Sequence, residues 1–138
     1  KARVHLEADQ TRLNYGETLT IITYGMGVWW ATNAAKNFEG RVEIIDLRTL
    51  SPCDDEAIYA SVRKHNKVIV LTEETLNNSF AQAIAGRIQE HCFQDLDAPV
   101  KCIGSRDLPA VPMNVKLEKA MLPNEEKVAI EIQKLLDY

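Results

Sequence analysis

An α/β fold built on parallel strands is predicted by three stretches of this 138-residue chain, at residues 18–27 (TLTIITYGMG), 41–54 (RVEIIDLRTLSPCD) and 67–74 (KVIVLTEE). Each is an apolar run that ends in a polar turn. The first breaks at glycine and gives way to a segment of helical spacing before the next run begins. Repetition of that pattern marks a βαβ unit, whose strands are buried on both faces. Function is therefore sought at the strand ends.

Strand one is expected over residues 18–24, ended by Gly25 and Gly27, where a tight turn has use for glycine. Val28, Ala31, Ala34, Ala35 and Phe38 then repeat at helical spacing over 28–38, and their small side chains let the helix lie close to the sheet. Gly40 can stop that helix, and 41–46 supplies strand two. Asp54 or Asp55 can cap a helix to about residue 64, with Ile58, Ser61, Val62 and His65 on neighbouring turns. Residues 67–72 form the most apolar strand, expected to be central. Asn78 or Ser79 can cap a helix over 80–92, striped by Phe80, Ala83, Ile84, Ile88 and Cys92. A short strand over 99–104, a rigid loop over 107–112 (DLPAVP), a short helix near 113–121 and a last helix from Asn124 complete the pass. Val128, Ile132, Leu135 and Leu136 are the face that last helix turns to the sheet.

Composition narrows the function. A chain of this length with 46% hydrophobic residues suits one compact domain that buries about two-thirds of its unfolded surface. The net charge of −4, with basic and acidic residues interspersed, offers no basic face to nucleic acid. No apolar run approaches the roughly 20 residues needed to span a bilayer, and no signal-peptide core opens the chain. Cys53, Cys92 and Cys102 are odd in number and form no Cys-x-x-Cys, so a reduced, cytoplasmic setting fits best. The chain begins with Lys1 rather than Met, and the polar stretch 7–14 (EADQTRLN) has no clear periodicity. Residues 1–15 are accordingly read as a linker from a preceding domain and 16–138 as the domain itself.

Four constellations carry chemistry in principle. Gly25-Met26-Gly27 followed by Asp46 imitates a dinucleotide fingerprint, but its third glycine falls at Trp30, whose indole fills the space where helix and strand must pack closely. Asp46, Glu73 and Glu74 fall at the ends of what read as neighbouring strands and can form an acidic cluster, with Arg48, Thr75 and Ser79 as pairing or capping groups. An interface or structural role is the expectation for them, since paired carboxylates work as acid and base only when their surroundings separate their pKa values. His91-Cys92 is a poor metal pair because adjacent helical residues point apart. Trp29 and Trp30 cannot both face one core, so one is expected at a domain or subunit contact. No residue is assigned to catalysis, cofactor binding or metal binding.

The order of landmarks resembles the C-terminal domain of the transketolase superfamily, and most closely that of β-type chains of thiamine diphosphate-dependent 2-oxoacid dehydrogenases of branched-chain or pyruvate type. The landmarks are Tyr24-Gly25, 42–52 (VEIIDLRTLSP), Asp54, Ser61-Val62, 68–74, 96–100 (LDAPV), Asp107-Leu108-Pro109, Leu117-Glu118 and Pro123. The chain departs from that pattern at Asn77-Asn78-Ser79 and at Ala110-Val111-Pro112. The resemblance implies a three-layer α/β/α domain on a five-stranded, mixed, mostly parallel sheet with one antiparallel edge. It implies an assembly domain in an enzyme whose thiamine diphosphate and Mg²⁺ are bound by other domains, and no cofactor in this chain. It implies three partners: those thiamine-binding domains, a second copy across a two-fold axis, and the acyltransferase component. The last is basic in related complexes, and Asp137 with the Tyr138 terminus offers it an acidic end. Two other readings stand beside this one: the equivalent domain of a transketolase or deoxyxylulose phosphate synthase, and a free-standing flavodoxin-like nucleotide-binding module using the Gly25–Gly27 turn.

Overall fold

A computed structural model describes residues 1–107 and 113–138. The strands are β1 (Arg3–Leu6), β2 (Leu19–Thr23), β3 (Val42–Asp46), β4 (Val68–Thr75) and β5 (Lys101–Ser105). They form one sheet in the order β1-β3-β2-β4-β5, with β1 antiparallel to β3 and the other pairings parallel. Among the described residues, five α-helices accompany them: α1 (Met26–Ala35), α2 (Asp55–His65), α3 (Phe80–Cys92), α4 (Val115–Met121) and α5 (Glu125–Leu136).

Because side chains alternate across a strand, each interior strand feeds two cores. Leu19, Ile21, Val42, Ile44, Ile69 and Leu71 meet α1 and α5 through Trp30, Ala31, Ala34, Val128 and Ile132. Ile22, Ile45, Val68 and Val70 meet α2 and α3 through Ile58, Val62, Ile84 and Ile88. The result is the three-layer arrangement, with α1 and α5 on one face and α2 and α3 on the other.

Caps fix where the helices begin. The Asp54 carboxylate accepts from the Ala57 amide at 3.2 Å and the Ser79 hydroxyl from the Gln82 amide at 3.2 Å, so α2 and α3 start where the sequence places them. Asn124 does the same for α5, accepting from the Lys127 amide at 2.9 Å. Basic Arg63, Lys64 and His65 occupy the last turn of α2, beside the exposed carbonyl ends.

Several expectations are corrected. The sheet begins at Arg3 rather than Thr18, inside the stretch read as linker. All four residues of β1 are exposed, so it lacks the apolar run that marks the other strands; its only signal is the polar–apolar alternation of RVHL. The middle of the sheet is β2, with β4 next to it and flanked by β5. Strand β4 also runs on through Glu73 and Glu74, which extend it rather than follow it. Helix α1 starts at Met26, two residues earlier than its apolar spacing suggests. The expected loop over 107–112 lies, apart from Asp107, outside the described residues, as does the departure at Ala110-Val111-Pro112.

Helix and sheet approach closely at Gly27 in the first turn of α1. A Cβ there would overlap the Thr23 hydroxyl and come within 3.4 Å of Leu71, while that hydroxyl already donates to the Leu71 carbonyl at 2.9 Å. Gly27→Ala is therefore expected to cost about 2 kcal/mol by overpacking. Urea denaturation checks it; an unchanged midpoint would contradict this packing.

Candidate functional site

The C-terminal ends of β2 and β4 carry a small polar clamp. Tyr24, just past β2, places its hydroxyl 2.7 Å from Thr72 Oγ1 and donates to Glu74 Oε1 at 3.0 Å. The same Glu74 oxygen accepts from the Phe80 amide at 2.7 Å, at the amino end of α3, where a carboxylate also gains from the helix dipole. Tyr24 and Phe80 meet edge to face with ring centres 6.5 Å apart. Burial raises the Tyr24 hydroxyl above its ordinary value; the Thr72 contact opposes this and the Glu74 carboxylate adds to it. Tyr24 therefore stays a neutral donor that ties β2, β4 and α3 together.

A depression of about 390 Å³ opens beside this clamp, lined by Tyr24, Gly25, Met26, Leu50, Glu73 and Glu74 among others. It has two carboxylates on its walls and no basic side chain, a poor electrostatic match for a nucleotide or a diphosphate. Gly27 is needed to seat α1 on the sheet, and Trp30 is buried in the α1–α5 core. The glycine turn thus serves packing, and the depression offers no basic side chain to a bare diphosphate. Among the described residues, no group of three or more His, Cys, Asp or Glu stands close enough to share a metal ion.

The expected acidic cluster of Asp46, Glu73 and Glu74 does not assemble, because β2 stands between β3 and β4. Asp46 instead accepts from the Arg48 amide at 3.0 Å and stabilises a turn in which Arg48 takes a left-handed φ of 63°. The Arg48 side chain is exposed, and Ser79 caps α3. The tryptophans separate: Trp30 is buried, and Trp29 is 65% exposed. Met26, one helical turn before Trp29, is exposed as well. At the other end, Asp137 accepts from the Gln133 amide group at 2.9 and 3.0 Å, and exposed Tyr138 lines a groove with Pro99, Lys101, Glu131 and Lys134.

One polar group of consequence was not singled out in the sequence. Glu43 projects from β3 into the α2 side of the sheet and is 3% exposed. Ser61 donates to its Oε1 at 2.8 Å, Lys64 to its Oε2 at 2.9 Å, and His65 Nε2 approaches that oxygen obliquely at 3.2 Å. His65 Nδ1 lies 2.8 Å from the Thr18 hydroxyl, and Ser61 also reaches Thr20 at 2.7 Å. The network staples the last turn of α2 to the beginnings of β2 and β3. Its signal was available: a carboxylate inside an apolar parallel strand must be paired.

With these features in view, the chain can be compared with known proteins. The family described as Transketolase, C-terminal domain, matches residues 9–128. The chain belongs to the transketolase C-terminal domain family. It is 38% identical over 126 residues to the 2-oxoisovalerate dehydrogenase subunit beta of Bacillus subtilis (strain 168), covering 89% of this chain and 38% of that relative. It is 34% identical over 129 residues to the pyruvate dehydrogenase E1 component subunit beta of Rickettsia felis, covering 91% of this chain and 39% of the relative. The chain therefore spans less than two-fifths of the length of these relatives. Among solved structures it resembles a split gene transketolase in an inactive beta4 tetramer, with a TM-score of 0.80 at 22% identity, covering 99% of this chain and 42% of that one. That likeness bears on the fold, which is of the transketolase C-terminal type.

Burial acts to raise the Glu43 carboxyl, but the contacts from His65, Lys64 and Ser61 outweigh it and bring it from 4.5 down to about 2. A carboxyl depressed on folding adds stability that is fully present above its unfolded value and is lost as pH falls through the folded one. Glu43→Gln is expected to cost about 3 kcal/mol at neutral pH, since it leaves Lys64 and His65 facing an uncharged group. The gap from the parent should narrow between pH 4.5 and about 2. Denaturation at several pH values measures it, and a gap independent of pH would contradict the account.

Proposed function

We propose that this chain is the C-terminal assembly domain of a thiamine diphosphate-dependent 2-oxoacid dehydrogenase, itself noncatalytic. The observation that carries the reading is the similarity, over about nine-tenths of the chain, to β subunits of 2-oxoisovalerate and pyruvate dehydrogenases. In the whole enzyme a 2-oxoacid is decarboxylated and its acyl group passed to a lipoyl arm, chemistry that belongs to the cofactor. Thiamine diphosphate and Mg²⁺ are assigned to other domains. A cytoplasmic setting fits this role; among the described residues, no helix is long and apolar enough to cross a membrane.

The domain's part is contact. Trp29 and Met26 on α1, with Val115 on α4, expose apolar surface at one end of the molecule, and Met26 and Val115 line a common depression of about 350 Å³. Exposed aromatic and Met side chains of this kind anchor interfaces. We assign this patch to packing against the thiamine-binding domains, the acidic end at Asp137 and Tyr138 to capture of the basic acyltransferase component, and a further contact to a second copy across a two-fold axis.

Two measurements test the reading. The whole polypeptide is expected to decarboxylate branched-chain 2-oxoacids or pyruvate only with thiamine diphosphate and Mg²⁺ present, while the 138-residue chain alone shows no turnover. Activity without thiamine, or turnover by the isolated chain, would contradict it. Removing Asp137 and Tyr138 is expected to lower the association rate with the acyltransferase component about tenfold at low salt and less at high salt. Unchanged capture would remove that surface from the proposal.

A further inference from the structure

One side chain departs from the rule that governs the backbone elsewhere. Among the described residues, a positive φ occurs at Gly16, Gly25 and Gly40, at Asn66 and Asn78, and at Arg48. Glycine and asparagine take this conformation at least cost, whereas an arginine carries a long side chain into it. The turn that holds Arg48 there is made by other groups. The Arg48 amide donates to Asp46 Oδ1 at 3.0 Å, the Leu47 amide to the Thr23 carbonyl at 2.9 Å and the Thr49 amide to the Leu47 carbonyl at 2.6 Å. None of these bonds uses the arginine side chain, which is exposed and has no ion-pair partner among the described residues. Arg12, Arg63 and Arg87, by contrast, each face a carboxylate. Glycine or asparagine would keep the same turn with less strain, so the guanidinium at this position points to a use outside the domain.

The place of Arg48 in the sheet says what that use is. Strands β2 and β3 run parallel with Thr23 beside Asp46, so the segments that follow them leave the sheet side by side. Arg48 follows β3, and Gly25 and Met26 follow β2; Leu50, just past Arg48, shares a depression with both of the latter. Arg48 thus leaves the same end of the sheet as exposed Met26, which opens the helix that carries exposed Trp29. Glu73 and Glu74 also line that depression, and Asp46 lies two residues before Arg48, so a polyanion is repelled. A single carboxylate on a protein surface fits instead. The planar guanidinium can take its two oxygens side by side, while neighbouring apolar side chains keep water from the pair.

We propose that Arg48 binds a carboxylate of the thiamine-binding domains and is the charged anchor of the contact whose apolar part is Met26 and Trp29. The proposal rests on the assembly role given under the proposed function and names a residue and a partner chemistry for it. Strain in the free domain is then offset by an ion pair made only in the whole enzyme.

Arg48→Gly tests this through a change of sign. In the 138-residue chain, which carries its own two-sided core, the variant relieves strain and removes no contact, and the urea midpoint is expected to rise by roughly 0.3 M. In the whole polypeptide with thiamine diphosphate and Mg²⁺ it also removes the ion pair, and the midpoint for loss of decarboxylation is expected to fall. Arg48→Lys keeps the charge without the planar fork and relieves no strain. It is expected to leave the chain's midpoint unchanged and to lower that of the whole polypeptide by less than glycine does. A midpoint that falls on Arg48→Gly in the chain alone gives the side chain a structural role and overturns the proposal. A midpoint that does not fall in the whole polypeptide overturns it too and leaves the assembly reading standing. Thiamine-independent turnover by the parent overturns that reading and the proposal together.

Discussion

The structure depends on strands that must be buried on both faces. Each of β2, β3 and β4 sends alternate side chains into opposite cores, so neither helical layer can be lost without exposing half of the sheet. Order in the rest of the molecule follows from that demand. Small residues on α1, Gly27 among them, bring that helix onto β2 and β4; the longer apolar faces of α2 and α3 fill the opposite side. The polar staples lie where the apolar cores end: Glu43 with His65 at the beginnings of the strands, and Glu74 with Tyr24 at their ends.

That division shows in the polar groups at the strand ends. The edge at which open α/β sheets place their sites is present, and several of its polar groups serve structure. Glu74 bonds the start of α3, Asp46 stabilises a turn, and the hydroxyl of Thr23 is committed to the Leu71 carbonyl. What remains free includes apolar side chains on the surface of α1 and α4 and the uncovered β1. A fold with a satisfied interior and an unsatisfied exterior is suited to joining parts of an assembly.

Sequence revealed those features whose physics is local. The three apolar runs marked β2, β3 and β4, and Asp54 and Ser79 marked the starts of their helices, because a strand buried on both faces and a capped helix each leave a dense signature in a few adjacent residues. The separation of Trp29 from Trp30 followed from helical geometry alone, although which of them faces the core did not. Strand order is not legible in the sequence: β2 lies between the strands that carry Asp46 and Glu74. The Glu43 network was missed for a related reason, since its partners come from β2 and α2 and meet only after the chain has folded. Strand β1 lay hidden because an edge exposed on both faces needs no apolar run.

The claim at the centre of this account is that the domain assembles an enzyme and takes no part in its chemistry. It is tested most directly by carrying Trp29→Ala into the whole polypeptide and measuring decarboxylation against protein concentration. The account expects activity to be lost at low concentration and regained at high concentration, with turnover per assembled enzyme unchanged. A turnover number reduced equally at every concentration, in an enzyme that sediments as fully assembled, would contradict it.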